Sequence, residues 1–227
     1  MPSSPVHKHS SSPGLRRDAS TPAGPSSVHR SRPTTNGNCG GTCARRSDPD
    51  RACRAGKLIE EAVNAEEWTS ARRLIKVELR SKPKDYWLLS RLALTYYEQR
   101  KYEHSLYWDA MALQVAPYCP LAIWGYAGAL DMPGRHGESL ALYRWLLSWG
   151  EEELAYGDCG EGIRRARSLI ADCHYRIARI WEDKRQWKRA VAEYQRHLSK
   201  RKDGCGSIYP IRDVKARYAE LLGKARS

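Results

Sequence analysis

Few residues of this chain have the types and spacing that chemistry requires, and a glycine-rich segment is the first candidate. Gly157, Gly160 and Gly162 precede a helical pattern, as in loops that cradle phosphates. A dinucleotide-binding loop must also follow a strand and needs a downstream acidic residue for the ribose. Here the preceding segment has a helical pattern, and Asp158 and Glu161 would repel a phosphate. We therefore interpret the segment as a flexible connection.

Three cysteines, Cys39, Cys43 and Cys53, are close enough in sequence to suggest a metal-binding loop. A structural zinc site takes four ligands, usually in two close pairs, and the nearest histidine, His29, lies outside this cluster. Four further histidines are isolated on predicted helices or turns: His104, His136, His174 and His197. We expect His197 to be a hydrogen-bonded core residue. The sequence therefore predicts no catalytic residues, no metal, no cofactor and no enzymatic activity.

The chain is strongly basic, with a formal net charge of +13 over 227 residues. The segment 1–56 holds nine Lys or Arg against three Asp, together with seven prolines and many serines. This segment has no hydrophobic periodicity, so no buried face offsets the entropy lost on ordering it. The sequence predicts a disordered basic tail over residues 1–56 and a folded domain over residues 57–227.

The longest uncharged stretch, residues 110–130, is long enough by count to span a bilayer. Pro117 and Pro120 interrupt it, so we interpret it as a buried surface between structural repeats. The N-terminal residues lack the apolar run of a secretory signal. Without such a signal the seven cysteines are expected to be reduced. We therefore expect a cytoplasmic protein with no membrane partner.

The most informative pattern in the chain is a repeated unit bounded by Pro83 and Pro117. Large apolar, small and aromatic residues recur between these prolines at Leu89, Leu92, Ala93, Tyr96, Tyr102, Ser105 and Ala112. A second copy follows in the same frame at Ile177, Ala178, Trp181, Trp187, Ala190, Tyr194 and His197. Small residues at fixed positions allow two helices to approach closely, and large ones fill the gap between them.

These residues resemble the tetratricopeptide repeat (TPR), a helix–turn–helix unit with a period of about 34 residues. The resemblance implies an all-α fold, a right-handed superhelix (α-solenoid) of about four TPR-type helical hairpins. The hairpins would span residues 52–82, 86–117, 121–149 and 163–201. Apolar residues at helical spacing over 211–225 predict a final helix that caps the array, because a terminal repeat otherwise exposes its stacking face.

Three features depart from the family's pattern. Asp109 lies where the family has a large aromatic residue, and we expect its neighbour Trp108 to fill that site. Residues 132–137 are predicted to form a longer turn than the family has. The helix that begins near Ile163 is predicted to run for about 20 residues, which is longer than a repeat needs.

In the family, the first helices of successive repeats line a concave groove that binds short peptides or helices of partner proteins. The resemblance places Lys57, Arg91 and Arg176 at equivalent groove positions, with Arg179 one turn after Arg176. Three aromatic residues are expected near them: Trp87, Tyr97 and Tyr175. Cations interleaved with aromatic rings suit an acidic peptide, through charge-assisted hydrogen bonds and stacking.

The resemblance therefore implies a noncatalytic scaffold for protein–protein interaction, with no small-molecule substrate. The alternative to a binding role is that the basic residues of the groove are solvated or pair with Glu60, Glu182 and Asp183. The asparagines of the carboxylate clamp found in chaperone-binding members are absent, so that specificity is not carried over. The second function considered is weak nucleic-acid association through the basic tail and groove, which high salt would weaken steeply.

Overall fold

Nine α-helices account for most of the chain that the computed structural model describes, residues 54–201 and 204–226. They are α1 (Arg54–Asn64), α2 (Trp68–Ser81), α3 (Tyr86–Tyr97), α4 (Tyr102–Val115), α5 (Pro120–Asp131), α6 (His136–Tyr156), α7 (Ile163–Asp183), α8 (Trp187–Lys200) and α9 (Ile211–Arg226). These residues contain no strand and belong to one compact unit. Residues 1–53 of the predicted tail lie outside the described residues. The last three residues of the predicted tail, 54–56, form the start of α1.

Successive helices pair as four hairpins, α1–α2, α3–α4, α5–α6 and α7–α8, and α9 packs against α8. Beyond these neighbours along the chain, α3 contacts α5 and α5 contacts α7. The first helices of the second, third and fourth hairpins therefore lie against one another along the inner surface of the array. The fold is an all-α solenoid with a C-terminal helix in the capping position, as predicted.

One residue in each hairpin turn adopts the left-handed conformation. These residues are Glu66, Arg100, Gly134 and Arg185, with φ of 58°, 58°, 85° and 54°. The next residue donates a backbone hydrogen bond to the carbonyl five positions earlier, as Lys101 does to Tyr96 at 2.9 Å, which is the Schellman arrangement that ends a helix. The first three of these turn residues are evenly spaced along the chain, by one repeat length. The third turn is therefore no longer than the second, contrary to the prediction.

The third hairpin leaves the repeat frame near its end. Gly150 interrupts α6 with a φ of 76°, and helical residues continue to Tyr156. Leu154 and Ala155 in this added segment are buried. After the following loop, α7 runs for 21 residues, which confirms the prediction of one long helix.

Equivalent positions of the four hairpins are buried to the same degree. Small residues on the second helices are 0–1% exposed: Ala71, Ser105, Ser139 and Ala190. The position four residues further on holds a large, fully buried side chain in three hairpins: Ile75, Tyr143 and Tyr194. The small residues let the paired helices approach, and the large ones fill the space between hairpins.

Asp109 occupies this large-residue position in the second hairpin and is itself only 3% exposed. Its carboxyl accepts a hydrogen bond from the hydroxyl of Ser105, with Oγ and Oδ2 3.3 Å apart. Trp108 packs instead against the apolar clusters around Leu89 and Leu92. The expectation that Trp108 takes over this site is therefore wrong, because Asp109 keeps it.

Candidate partner-binding groove

Two neighbouring cavities open on the inner surface of the solenoid, and together they are called the groove here. One, of about 490 Å³, is lined by α3, α4, α5 and α7. Its lining includes four of the predicted partner-binding residues: Trp87, Arg91, Tyr97 and Arg176. The other, of about 450 Å³, is lined by α1, α2 and α3 and includes Lys57 and again Trp87. Trp87 therefore belongs to the lining of both cavities.

The cations of the groove do not form a continuous stripe. The equivalent positions of the four hairpins hold Lys57, Arg91, Gly125 and Arg176. Lys57 is exposed, whereas Arg91 and Arg176 are partly buried. Because the third hairpin has a glycine at this position, the positive charge is interrupted at the centre of the groove.

Arg91 links the first helices of two hairpins. Its guanidinium forms an ion pair with Glu60 at 2.8 Å and lies 5.6 Å from the ring centre of Trp87. The Arg91 side chain is 31% exposed. The pairing with Glu60 that the sequence offered as an alternative is therefore present, and a partner would meet Arg91 with this carboxylate beside it.

Arg176 is held inside the groove by its own chain. Its guanidinium donates a hydrogen bond to the hydroxyl of Tyr97 at 2.9 Å. It also lies 5.8 Å from the ring centre of Trp124 and 5.6 Å from that of Tyr209. Burial raises the pKa of Tyr97, and the nearby charge of Arg176 offsets part of that rise. Arg176 is therefore partly buried and engaged by side chains of its own chain.

Tyr175 is covered by the loop of residues 204–210, which the sequence pattern did not predict. The ring of Tyr209 stacks on that of Tyr175, with centres 3.6 Å apart and planes 14° apart. The hydroxyl of Ser207 donates to Asp172 on α7, and burial raises the pKa of Asp172 to about 6. The sequence signal that could have indicated this packing was the presence of large side chains in a loop otherwise rich in glycine and serine. The loop thus lies over α7, and Ile208 of the loop also lines the larger cavity.

Arg179 lies one turn beyond Arg176 on α7 and is exposed. It is not part of the lining of either groove cavity. The structure therefore brings Lys57, Trp87, Arg91 and Tyr97 together around open space. Tyr175 and Arg176 are engaged by the 204–210 loop, and Arg179 stands apart.

Asp109 and Gly125 also line the larger cavity, and neither was among the predicted site residues. A Cβ atom added at Gly125 would lie 3.2 Å from Asp109 Oδ1, so the carboxyl lies directly beneath this glycine. Burial raises the pKa of Asp109 well above its usual value of 3.8, and the hydrogen bond from Ser105 offsets only part of that rise. The sequence signal that could have indicated Asp109 as a site residue was its departure from the repeat pattern.

The other chemical candidates have structural roles. His197 is fully buried and its Nδ1 lies 2.8 Å from the carbonyl oxygen of Ala171, as predicted for a core histidine. Any side chain at Gly160 would overlap the backbone of Ala155, so the glycine-rich segment includes a close-packed turn rather than a purely flexible connection. Cys159 is disulfide-bonded, so the expectation of reduced thiols is wrong at this residue.

The metal loop that the sequence suggested, Cys39, Cys43 and Cys53, lies outside the described residues. No group of three or more His, Cys, Asp or Glu among residues 54–201 and 204–226 could hold a metal ion. None of the helices described above is long and apolar enough to cross a membrane.

Among solved structures, the chain is similar to the crystal structure of MamA protein. The two share 12% sequence identity with a TM-score of 0.49, over 78% of this chain and 90% of that chain. No family model matches the sequence, and no curated protein matches it.

Proposed function

We propose that this protein is a noncatalytic scaffold of the tetratricopeptide type that holds a peptide or short helix of a partner protein in its groove. The observation that carries the proposal is the pair of adjoining cavities on the inner surface, which share Trp87. Concave, largely apolar sites with a few polar groups are where proteins bind ligands. The repeated geometry of the hairpin turns supports the tetratricopeptide assignment.

The partner is placed over the N-terminal half of the inner surface, on α1, α3 and α5. This half contains Lys57, Trp87, Arg91 and Tyr97, whereas the 204–210 loop lies over Tyr175. Exposed Lys57 suits an acidic group of the partner, and such a group could also replace Glu60 beside Arg91. Arg91 would then exchange one carboxylate for another, so its charge is not left unpaired.

The proposal is tested by capture of proteins from native lysate, with the bound proteins identified by mass spectrometry. The groove variant combines Lys57→Glu with Trp87→Ala. Its matched control combines Arg73→Glu with Tyr107→Ala, which makes the same kinds of change at exposed positions of the second helices α2 and α4. We expect the groove variant to lose proteins that both the parent and the control capture, because reversed charge is strongly disfavoured at an interface.

Capture of the same proteins by a groove variant that is still helical by circular dichroism would rule out the groove as the binding site. Capture is repeated after nuclease treatment. If the captured proteins are lost after nuclease treatment and their capture falls steeply as salt rises, the function is nucleic-acid association and not that of a protein scaffold.

A cytoplasmic location is also part of the proposal, and Cys159 is the residue that tests it. Stable disulfides are rare in the cytosol, whereas Cys159 is disulfide-bonded in the structure. Protein is therefore extracted from cells under thiol-blocking conditions, and a blocking group on Cys159 is the result that a cytoplasmic location requires. A disulfide at Cys159 in that extract, consistent with the bond in the structure, would contradict a cytoplasmic location.

A further inference from the structure

Asp109 is a buried acid with one hydrogen-bond partner, the hydroxyl of Ser105. No lysine or arginine of the described residues forms an ion pair with it. A carboxylate removed from water in this way is unfavourable unless a cation or further donors approach it. The equivalent positions in the other hairpins, Ile75, Tyr143 and Tyr194, are filled by large side chains without a charge.

Gly125 gives this carboxyl access to the groove. It occupies the position of Lys57, Arg91 and Arg176 in the third hairpin, where those hairpins have a long side chain. Because Gly125 has none, the space above Asp109 Oδ1 stays open and forms part of the larger cavity. The two departures from the repeat pattern, an acid on α4 and a glycine on α5, therefore meet at one point.

The walls of the cavity are suited to the stem and head of a long cationic side chain. Four aromatic residues line it: Tyr86, Trp87, Tyr97 and Trp124. Aromatic faces attract ammonium and guanidinium groups, and the aliphatic stems of Lys and Arg pack on apolar surface. Trp124 Nε1 and Ser90 Oγ, which belong to lining residues, are buried and have no hydrogen-bond partner among the described residues. A peptide could supply acceptors for both.

The charged groups around the cavity do not exclude a cation. Arg91 is paired with Glu60, and Arg176 is bonded to Tyr97, so both are engaged. Glu98 also lines the cavity and adds a second acid to that of Asp109. Burial is the main cause that raises the pKa of Glu98, and Arg176 lowers it. Because Glu60 already pairs with Arg91, Asp109 and Glu98 outnumber the remaining arginine, Arg176, when both acids are ionised.

We propose that the larger cavity binds a lysine or arginine side chain of the partner, with its cationic head on the carboxylate of Asp109. The inference rests on the proposed scaffold function, since it describes what the partner places in the groove. It adds that the partner sequence has a basic residue at the centre of the bound segment. An acidic residue of the partner would then lie on one side, towards Lys57.

The experiment uses the full chain and three small probes followed by NMR: butylguanidinium, butylammonium and the neutral, planar butylurea. The amide of Gly125 and the indole N–H of Trp124 report binding in this cavity. We expect at least one of the two cations to bind about tenfold more tightly than butylurea, as a charge-assisted hydrogen bond provides. This preference should weaken as pH falls and Asp109 becomes protonated.

Three variants locate the effect. Asp109→Asn keeps the shape of the side chain and should abolish the preference for cations. Gly125→Leu should block all three probes, because its side chain fills the space beside Asp109 Oδ1, and the carboxyl has to shift only by a few tenths of an ångström to accept the added Cβ atom. Glu98→Gln removes the other acid of the lining and should change the cation affinity less than about threefold, since an exposed charge is screened by solvent.

Equal binding of butylurea and both cations to the parent would overturn the inference, and so would an undiminished preference in Asp109→Asn. If no probe binds while the groove variant of Lys57 and Trp87 still loses captured proteins, the cation site fails and the scaffold function stands. If the cations bind at Asp109 but the groove variant captures the same proteins, the site stands as a cation site and the scaffold function fails.

Discussion

Residue 109 shows how one side chain can mark a site inside a regular repeat. Ile75, Tyr143 and Tyr194 fill the equivalent positions, and each is fully buried. An apolar residue at 109 would satisfy the same packing, whereas a buried carboxyl costs free energy unless it is paired. Places where a sequence breaks its own structural rule are often functional. This is the physical reason for assigning a ligand to Asp109 rather than a role in packing.

The first prediction concerns the pH dependence that Asp109 imposes on stability. Its folded-state pKa is raised well above 3.8 by burial, so the folded protein favours the protonated acid. This stabilising contribution is fully present below pH 3.8 and is lost as pH rises through the folded-state pKa. Asp109→Asn lacks this titration. The variant should therefore gain stability relative to the parent as pH rises, and should be the more stable protein at pH 7.

Urea unfolding of the parent and Asp109→Asn between pH 4 and pH 8 measures this difference. Glu152→Gln, which removes an exposed carboxyl, is the control and should show no comparable change. A difference in unfolding free energy that is constant across this pH range would show that Asp109 is not desolvated.

At the scale of elements, the 204–210 loop is the part of the solenoid that the repeat pattern does not describe. It connects α8 to α9 and contacts α7, where Tyr209 stacks on Tyr175. Arg201, directly after α8, donates a hydrogen bond to the carbonyl of Tyr209 at 2.6 Å. These contacts cover one end of the groove with the protein's own chain. The length of groove open to a partner is therefore set by a loop and not by the number of repeats.

The second prediction compares two neighbouring residues of this loop. Tyr209→Ala should lower the free energy of unfolding by at least about 1 kcal/mol, because it removes a stacked aromatic pair and its buried area. Ile208→Ala should change it by less than about 0.5 kcal/mol, because Ile208 is 64% exposed. Denaturant unfolding measures both values. Equal effects of the two substitutions would mean that the loop is not anchored through Tyr209.

At the scale of the whole molecule, each hairpin is stabilised by its contacts with the neighbouring hairpins. Helix contacts are almost all between elements adjacent in the chain, with α3–α5 and α5–α7 as the links along the inner surface. In such arrays the stability is close to a sum of unit and nearest-neighbour terms. The last helix, α9, packs on α8 through Val214 and Leu221, both buried, and it shields the stacking face of the fourth hairpin.

The third prediction follows from this arrangement. Leu221→Ala should cost about 2–5 kcal/mol locally, as other large-to-small substitutions in cores do. Amide hydrogen exchange should then become faster in α7, α8 and α9 and change little in α1 to α4. Lys215→Ala, on the exposed side of α9, is the control. Equally accelerated exchange in all nine helices would show that the described chain unfolds as one cooperative unit.

Local sequence patterns were enough to predict the pairing of the helices and the cap, but not the extension of α6 beyond residue 149 to Tyr156. Pro83 and Pro117 follow the ends of α2 and α4, and the predicted close-packing residues Ser105 and Ala190 are buried. These features depend on periodicity within a single repeat, where a face of a helix and the turn after it are encoded locally. The capping helix could be predicted for the same reason, because its apolar residues follow helical spacing.

The contacts of each groove residue depend instead on the tertiary structure. Arg91 meets Glu60 of the preceding hairpin, and Arg176 meets Tyr97, which is 79 residues away in sequence. The cover over Tyr175 comes from a loop without periodicity, and the opening above Asp109 needs Gly125 of the next hairpin. A local pattern specifies which side of a helix faces inward. The distances between side chains on different hairpins follow from how the hairpins stack, which no single repeat encodes.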